Sequence, residues 1–235
     1  MSLKVYALPY AGGSASIFAN LTLTLKPFAD LLPVEYAGHA GRFCEPFFES
    51  IEEAAEDVSN LIINDTKDDY VIFGHSMGCL VALETAFALE RKNAKLPKAI
   101  IVASTRPPHL LYKDKPLGDL SKKDLMKEII SLGQFDPEIL ECEELCEMIA
   151  DVMYADVQMF SKYTRSFENG TLDIPILAMT AVSDDEAPKE DMEEWQKYTR
   201  GDFRFNLFEG GHFFVFEENK DFVTFLMDYI RSIQN

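Results

Sequence analysis

The sequence of 235 residues predicts an α/β protein whose mostly parallel central sheet is covered by helices on both faces. Three observations support this fold class: short apolar runs recur along the chain, helical patterns separate them, and a glycine-flanked turn joins one run directly to a helix. The length suits one domain with a sizeable core, and an apolar content of 47% is ordinary for a globular protein. We therefore expect residues 1–235 to form a single domain.

Five apolar runs are typical of strands that are buried on both faces of a parallel sheet: Val5–Leu8, Tyr70–Phe73, Ala99–Ala103, Ile176–Thr180 and Phe203–Phe208. Helical patterns lie between or after them: Ile51–Ile63, Cys79–Arg91, Met192–Tyr198 and Phe222–Ile233. In sheets of this kind, ligands bind at the carboxyl ends of the strands.

The stretch from about residue 115 to residue 167 departs from this alternation. It predicts consecutive helices without a strand: Lys122–Leu132, Pro137–Leu140 with Glu143–Ala155, and Val157–Phe167. We expect this stretch to be an insertion that forms a helical lid over the carboxyl edge of the sheet. It contains four methionines, which usually fill cores but in a lid can equally line a deformable apolar pocket: Met126, Met148, Met153 and Met159.

The apolar run Tyr70–Phe73 leads into Gly74-His75-Ser76-Met77-Gly78, after which a helical pattern begins. This is G-x-S-x-G between a strand and a helix, the nucleophile elbow of an α/β-hydrolase. The elbow is a sharp, strained turn that projects the Ser76 hydroxyl above the sheet. Glycine is needed on both sides because the strand and the helix approach too closely there for side chains. Ser76 is therefore the candidate nucleophile.

A serine hydroxyl needs a base, and the base needs an orienting carboxylate. His39 and His109 precede the position expected for the base in the chain order Ser…Asp…His. The side chain of His75, beside the nucleophile, should diverge from Ser76. His212 directly follows the last apolar strand and two glycines, which leave the loop free to aim the imidazole. The sequence therefore favours His212 as the base.

The acid is expected in the loop after the Ile176–Thr180 strand. α/β-Hydrolases often carry G-x-x-D-x-x-V-P at this place, and Asp184 fits that frame with Ala181 in the glycine position. Asp185 is the alternative acid in the same loop.

The oxyanion of a tetrahedral intermediate needs two backbone donors. One is expected to be the amide of Met77, at the start of the helix after the nucleophile. The other is expected in the loop after the first strand, Pro9–Ser14, with Ala11 as the candidate. No Gly-Lys-Ser/Thr follows this loop, which excludes a nucleotide-binding loop.

Neither a metal nor a cofactor is expected. Cys142 and Cys146 lie one helical turn apart, but no histidine or further cysteine pair completes a metal set. The four scattered cysteines are typical of reduced thiols in a cytosolic protein. There is no basic-then-apolar leader and no run of about 18 apolar residues, so we expect a cytoplasmic protein that does not contact membranes. We also expect a monomer.

The net charge of −18 argues against a nucleic-acid partner. The charge is uneven, because residues 91–127 hold ten basic and three acidic side chains, while residues 136–156 hold eight acidic and no basic ones. These stretches are either solvated faces or, for the basic one, a docking surface for an acidic partner.

Together these motifs resemble the type II thioesterases that accompany nonribosomal peptide and polyketide synthases, a group that includes the animal fatty-acid-synthase thioesterase II. The resemblance covers nearly the whole chain. The segments that carry it are Pro9-Tyr10-Ala11-Gly12-Gly13-Ser14, Tyr36-Ala37-Gly38-His39-Ala40-Gly41-Arg42, Gly74–Gly78, Ser104-Thr105-Arg106-Pro107-Pro108-His109, and Leu132-Gly133 with Pro137-Glu138-Ile139-Leu140. Two residues depart from the family pattern, since Cys79 and Ala181 stand where the family usually has glycine.

The resemblance implies hydrolysis of acyl groups held as thioesters on the phosphopantetheine arm of an acyl or peptidyl carrier protein, chiefly to clear stalled or misprimed carriers. Carrier proteins are generally acidic, which fits the basic stretch as a docking surface. Two alternatives remain: an esterase or lipase that acts on small oxygen esters with the same triad, and a non-catalytic binding protein of the same fold. The latter would normally lack a triad member, whereas Ser76, Asp184 and His212 are all present in the expected order.

Overall fold

The computed structural model describes residues 3–111, 117–131 and 143–234. The strands of its sheet are β1 Leu3–Leu8, β2 Ala29–Pro33, β3 Tyr70–His75, β4 Ile100–Ala103, β5 Ile176–Ala181 and β6 Phe203–Phe208. Their order is β2-β1-β3-β4-β5-β6, and each pair of neighbours among these described strands is parallel. The predicted α/β fold with a mostly parallel sheet is confirmed.

Helices cover both faces of the sheet, also as predicted. In the described ranges the α-helices are α1 Ala19–Leu25, α2 Ile51–Asp65, α3 Met77–Arg91, α4 Lys122–Ser131, α5 Glu143–Lys162, α6 Lys189–Met192 and α7 Lys220–Gln234. Alternate residues of each strand face opposite sides. Thus Tyr6 and Leu8 of β1 pack with α2 and α3, whereas Val5 and Ala7 pack with α1 and α7.

Helix α1 and strand β2 are absent from the sequence prediction. Helix α1 contains Leu-Thr-Leu-Thr-Leu, whose period of two hides a helix in which Leu21 and Leu25 are buried while Leu23 is 72% exposed. Strand β2 lies at the edge of the sheet and exposes its second residue, Asp30, so it does not form a continuous apolar run. In both places tertiary packing decides the structure and the local pattern does not reveal it.

Two predicted helices in the insertion are one helix in the structure. The sequence predicts one helix that ends at Ala155 and another over Val157–Phe167, but α5 runs without a break from Glu143 to Lys162, because no glycine or proline interrupts it. It ends five residues before the predicted Phe167. The predicted helix over Met192–Tyr198 is instead the end of α6 followed by a 3₁₀ helix, Glu193–Tyr198. The predicted segment Pro137–Leu140 lies outside the described residues.

The register of the strands brings the candidate loops to one edge. Leu8 at the end of β1 lies opposite Gly74, and His75 at the end of β3 lies opposite Ala103. At the other end of the strand order, β5 and β6 pair along their whole lengths. Since all these strands are parallel, the loops that follow β1, β3, β5 and β6 meet at the carboxyl edge, where the predicted site residues lie.

Candidate active site

The turn between β3 and α3 has the geometry of a nucleophile elbow. Ser76 adopts φ 52° and ψ −125°, a positive φ that side-chain-bearing residues rarely tolerate. A Cβ on Gly74 would collide with the backbone of Gly78, and a Cβ on Gly78 would collide with the carbonyl of Leu8. The two glycines are thus required because strand, turn and helix are in backbone contact, as the sequence predicted.

His212 lies in the loop after β6 and contacts Asp184 in the loop after β5. The Nδ1 atom of His212 lies 3.1 Å from Oδ1 and 3.2 Å from Oδ2 of Asp184. Because a carboxylate only accepts, Nδ1 carries the proton, which leaves Nε2 with a lone pair for use as a base. The backbone amide of Ser183 donates to the carbonyl of Gly210 over 3.0 Å and joins the two loops.

The structure brings Asp184, the first of the two candidate acids, to His212. The side chain of Asp184 is fully buried, whereas Asp185 is exposed. Burial raises the pKa of the Asp184 carboxyl, but its hydrogen bond to His212, with smaller contributions from Ser104 and His75, outweighs burial, so the pKa lies below its ordinary value. The backbone amide of Glu186 also donates to Oδ1 over 3.2 Å. Asp184 can therefore remain ionised and hold the imidazole in one orientation.

His75 anchors the loop that carries His212, a contact that the sequence did not reveal. Its ring is fully buried, and Nε2 lies 2.8 Å from the carbonyl oxygen of His212, to which it donates. Burial lowers the pKa of His75 to about 3, so the ring is neutral. The ring of His75 also packs against the ring of Phe216 at a centroid distance of 4.9 Å.

The two amides expected in the oxyanion hole belong to the helix after the elbow and to the loop after β1. Met77 is the first residue of α3, where an amide has no partner inside the helix. Ala11 is the second residue of a turn that closes with a 2.9 Å hydrogen bond from the amide of Gly13 to the carbonyl of Tyr10. Among the backbone hydrogen bonds of the described loops and turns, none uses the amide of Ala11 as a donor.

The other two histidines are engaged elsewhere. His39 pairs with Asp156 of α5, their Nε2 and Oδ2 atoms 2.9 Å apart. His109 contacts the hydroxyl of Tyr198 through Nδ1 at 3.2 Å and a carboxylate oxygen of Glu194 through Nε2 at 3.3 Å. Neither histidine contacts Asp184, whereas His212 does. This agrees with the sequence analysis, which excluded both as the catalytic base.

Helices α4 and α5, from the predicted insertion, pack beside the loop after β1. Leu125 of α4 and Met153 and Val157 of α5 form a small apolar cluster that also contacts Ala11. Of the other methionines in this stretch, Met159 is buried in the main core and Met148 is 61% exposed. Met153 belongs to the cluster that contacts Ala11, and Met126 packs against the same cluster.

Cys79, which departs from the family pattern, has a structural role. Its Sγ atom lies 3.2 Å from the carbonyl oxygens of both Gly74 and Ala103, and it accepts from the amide of Ala103 over 3.3 Å. Burial raises the pKa of this thiol to about 12, so it stays protonated. In the described ranges, no three side chains of the metal-binding types are grouped to hold a metal ion, and no helix is long and apolar enough to cross a membrane.

Comparison with known proteins gives relatives along nearly the whole chain. The family model described as "Thioesterase domain" matches residues 3–231. "Thioesterase PikA5" of Streptomyces venezuelae is 30% identical over 230 residues, which are 97% of this chain and 81% of that protein. The crystal structure of ClbQ from the colibactin NRPS/PKS pathway superposes with a TM-score of 0.91 at 26% identity, covering 100% of this chain and 99% of that one. The RedJ thioesterase from the prodiginine pathway in Streptomyces coelicolor gives a TM-score of 0.86 at 32% identity, over 96% and 85% of the two chains.

Proposed function

Since the chain belongs to the thioesterase family, as a type II thioesterase that hydrolyses thioester bonds, we propose that its substrates are acyl groups on the phosphopantetheine arm of carrier proteins. The observation that carries the mechanism is the contact of His212 with the buried Asp184 at the same sheet edge as the strained Ser76. This contact supports a Ser-His-Asp triad in the order that the sequence predicts.

The first step of the proposed reaction forms an acyl-enzyme. Nε2 of His212 takes the proton of Ser76 while Oγ attacks the thioester carbonyl, and Asp184 stabilises the imidazolium. The amides of Met77 and Ala11 hold the oxyanion of the tetrahedral intermediate. When the intermediate collapses, the C–S bond breaks, and the phosphopantetheine sulfur leaves as a thiol with the proton from His212.

The second step releases the acid. His212, again neutral, takes a proton from water as the water oxygen attacks the ester carbonyl of acyl-Ser76. The second tetrahedral intermediate uses the same two amides, and its collapse returns the proton to Oγ of Ser76. The products are the free carboxylic acid and the unmodified enzyme, so no cofactor is consumed.

We further propose that α4 and α5 form the lid of this site, within one domain of residues 1–235. Their cluster around Leu125 and Met153 lies against Ala11, so an acyl chain that reaches Ser76 would pass beside it. The adaptable Met153 side chain fits an apolar acyl group better than a polar one.

The substrate class is tested by comparing three esters of one acyl group. We expect kcat/KM on the acyl-carrier to exceed that on the same acyl group attached to a small thiol by at least about tenfold. Contacts with the carrier that contribute about 1.4 kcal/mol are enough to produce this ratio. The nitrophenyl oxygen ester is expected to be slower still. Comparable kcat/KM on the oxygen ester and on the acyl-carrier would favour the esterase alternative.

The carrier is proposed to dock on the basic start of α4. Lys122 pairs with Asp151, and Lys123 is exposed. Arg106, also in the basic stretch, pairs with Asp191 at 2.7 Å. The same stretch includes Lys113 and Lys115, which lie outside the described residues.

Charge reversal tests this docking surface. Lys122→Glu with Lys123→Glu is expected to raise KM for the acyl-carrier about tenfold, because steering of an acidic partner is lost, and to spare thioesters of small thiols. The control is Lys26→Glu with Lys67→Glu, an equal charge change at exposed lysines next to the amino ends of β2 and β3. Equal effects of the two double variants on KM would refute the docking surface.

A further inference from the structure

Asp156 of α5 is a buried carboxylate that contacts the loop after β1. Its Oδ2 atom accepts from the backbone amide of Gly12 over 2.7 Å and lies 2.9 Å from Nε2 of His39. Asp156 and His39 are 3% and 2% exposed. A buried ionised group is stable only when it is paired and hydrogen-bonded, and Asp156 has both kinds of partner.

His39 supplies the compensating charge. Both of its ring nitrogens face acceptors, since Nδ1 lies 3.0 Å from the carbonyl oxygen of Ala37 and Nε2 faces Asp156. Burial lowers the pKa of His39, but the hydrogen bond and the charge of Asp156 outweigh burial, so the pKa lies above its ordinary value. Glu35 also acts to raise it. An imidazolium can donate from Nδ1 to the Ala37 carbonyl and from Nε2 to Asp156. The second hydrogen bond holds the Asp156 carboxylate in place.

The amide that Asp156 holds lies in the middle of the turn at Tyr10–Gly13. Gly12 is the third residue of this turn and has φ 78°, the value that a type II turn requires. Turns of types I and II differ by a flip of the central peptide, which here joins Ala11 to Gly12. The hydrogen bond to Asp156 selects one orientation of that peptide, because the flipped form would turn the Ala11 carbonyl toward the carboxylate.

Helix α5 also closes over this turn sterically. A Cβ on Gly12 would collide with the end of the Met153 side chain, which lies one helical turn before Asp156. Asp156 and Met153 therefore hold the same residue from the same helix, one by a charge-assisted hydrogen bond and one by contact.

We propose that Asp156 is a positioning residue for the oxyanion hole: its carboxylate, held by His39, anchors the Tyr10–Gly13 turn at the Gly12 amide, one residue after the proposed donor. The position of the Ala11 amide over the site then depends on the position of α5. The proposal rests on the proposed function, in which Ala11 is an oxyanion donor. Displacement of α5 then removes the support of the oxyanion hole, so that a displaced lid lowers transition-state stabilisation as well as exposing the site.

The test is Asp156→Asn, which keeps the size of the side chain but removes its charge. We expect kcat on an acyl thioester of a small thiol to fall about 30-fold with KM changed less than about twofold, because the lost interaction serves the transition state. The matching acyl trifluoromethyl ketone, whose adduct with Ser76 carries an oxyanion, is expected to bind about 30-fold more weakly. A thioether analogue without the carbonyl is expected to bind unchanged.

Two further variants complete the experiment. Glu147→Gln removes a carboxylate charge from the same helix at an exposed side chain and is expected to alter neither kcat nor inhibitor binding. If Asp156→Asn does not fold, His39→Gln, which removes the compensating charge and leaves Asp156 in place, is expected to lower kcat and trifluoromethyl ketone affinity together by about fivefold.

Unchanged trifluoromethyl ketone affinity in the folded variant, or equal losses for this ketone and the thioether, would overturn the positioning role. Ser76→Ala is measured beside these variants. If Ser76→Ala loses turnover while Asp156→Asn keeps its kcat, the positioning proposal alone fails. If Ser76→Ala keeps turnover, the proposed function itself fails.

Discussion

Ser76→Ala is expected to lower kcat on an acyl-carrier by at least about four orders of magnitude. The substitution removes the oxygen that forms the acyl-enzyme, and direct attack of water on the thioester is far slower. The effect is measured by steady-state hydrolysis of a thioester, with the released free thiol as the detected product. KM is expected to change little, because the acyl chain and the carrier bind to residues other than Ser76.

Ser183→Ala is the matched control, an exposed serine in the neighbouring loop after β5. It should retain wild-type kcat, and the thermal midpoints of both variants should stay close to that of the parent. A folded Ser76→Ala protein that turned over at more than about one hundredth of the parent rate would show that another group carries the reaction.

The second large effect is expected for Asp184→Asn, with a fall in kcat of about 10³- to 10⁴-fold. An asparagine can present its NH₂ group to Nδ1 of His212, which favours the tautomer that has its lone pair on the wrong nitrogen. The buried position also loses the negative charge that stabilises the imidazolium in the transition state. KM is expected to remain within about threefold, so the loss should reside in kcat.

Asp185→Asn separates the two acids of this loop. Because Asp185 is exposed, its replacement is expected to leave kcat within about twofold of the parent value. A larger loss from Asp185→Asn than from Asp184→Asn would reverse the assignment of the acid, and equal small losses from both would remove the acid from the mechanism.

The sequence sufficed for the elements that local chemistry specifies. The elbow is visible because its two glycines and Ser76 are adjacent in sequence, and the same backbone crowding that requires them appears in the structure. His212 and Asp184 could be proposed because each directly follows an apolar run and the sheet is parallel. Edge strand β2 could not be found in this way, since its exposed Asp30 interrupts the apolar pattern.

Contacts between distant parts of the chain were not predictable from one sequence. Gly12 and Asp156 are separated by 144 positions, and no periodicity connects them. The hydrogen bond from His75 to the carbonyl of His212 spans 137 positions and depends on how the last loop crosses the elbow. His39 could be excluded as the base, but its pairing with Asp156 required the position of α5 over the first loop.

The identity of the nucleophile is tested most directly by an alkyl fluorophosphonate, which phosphonylates an activated serine, followed by mass spectrometry of the peptides. We predict one phosphonyl group per chain, located on Ser76, with thioesterase activity lost in proportion to labelling. Ser76→Ala should take up no label at the site. Thioesterase activity that survived complete labelling of Ser76, or inactivation by a label on another residue, would contradict the account.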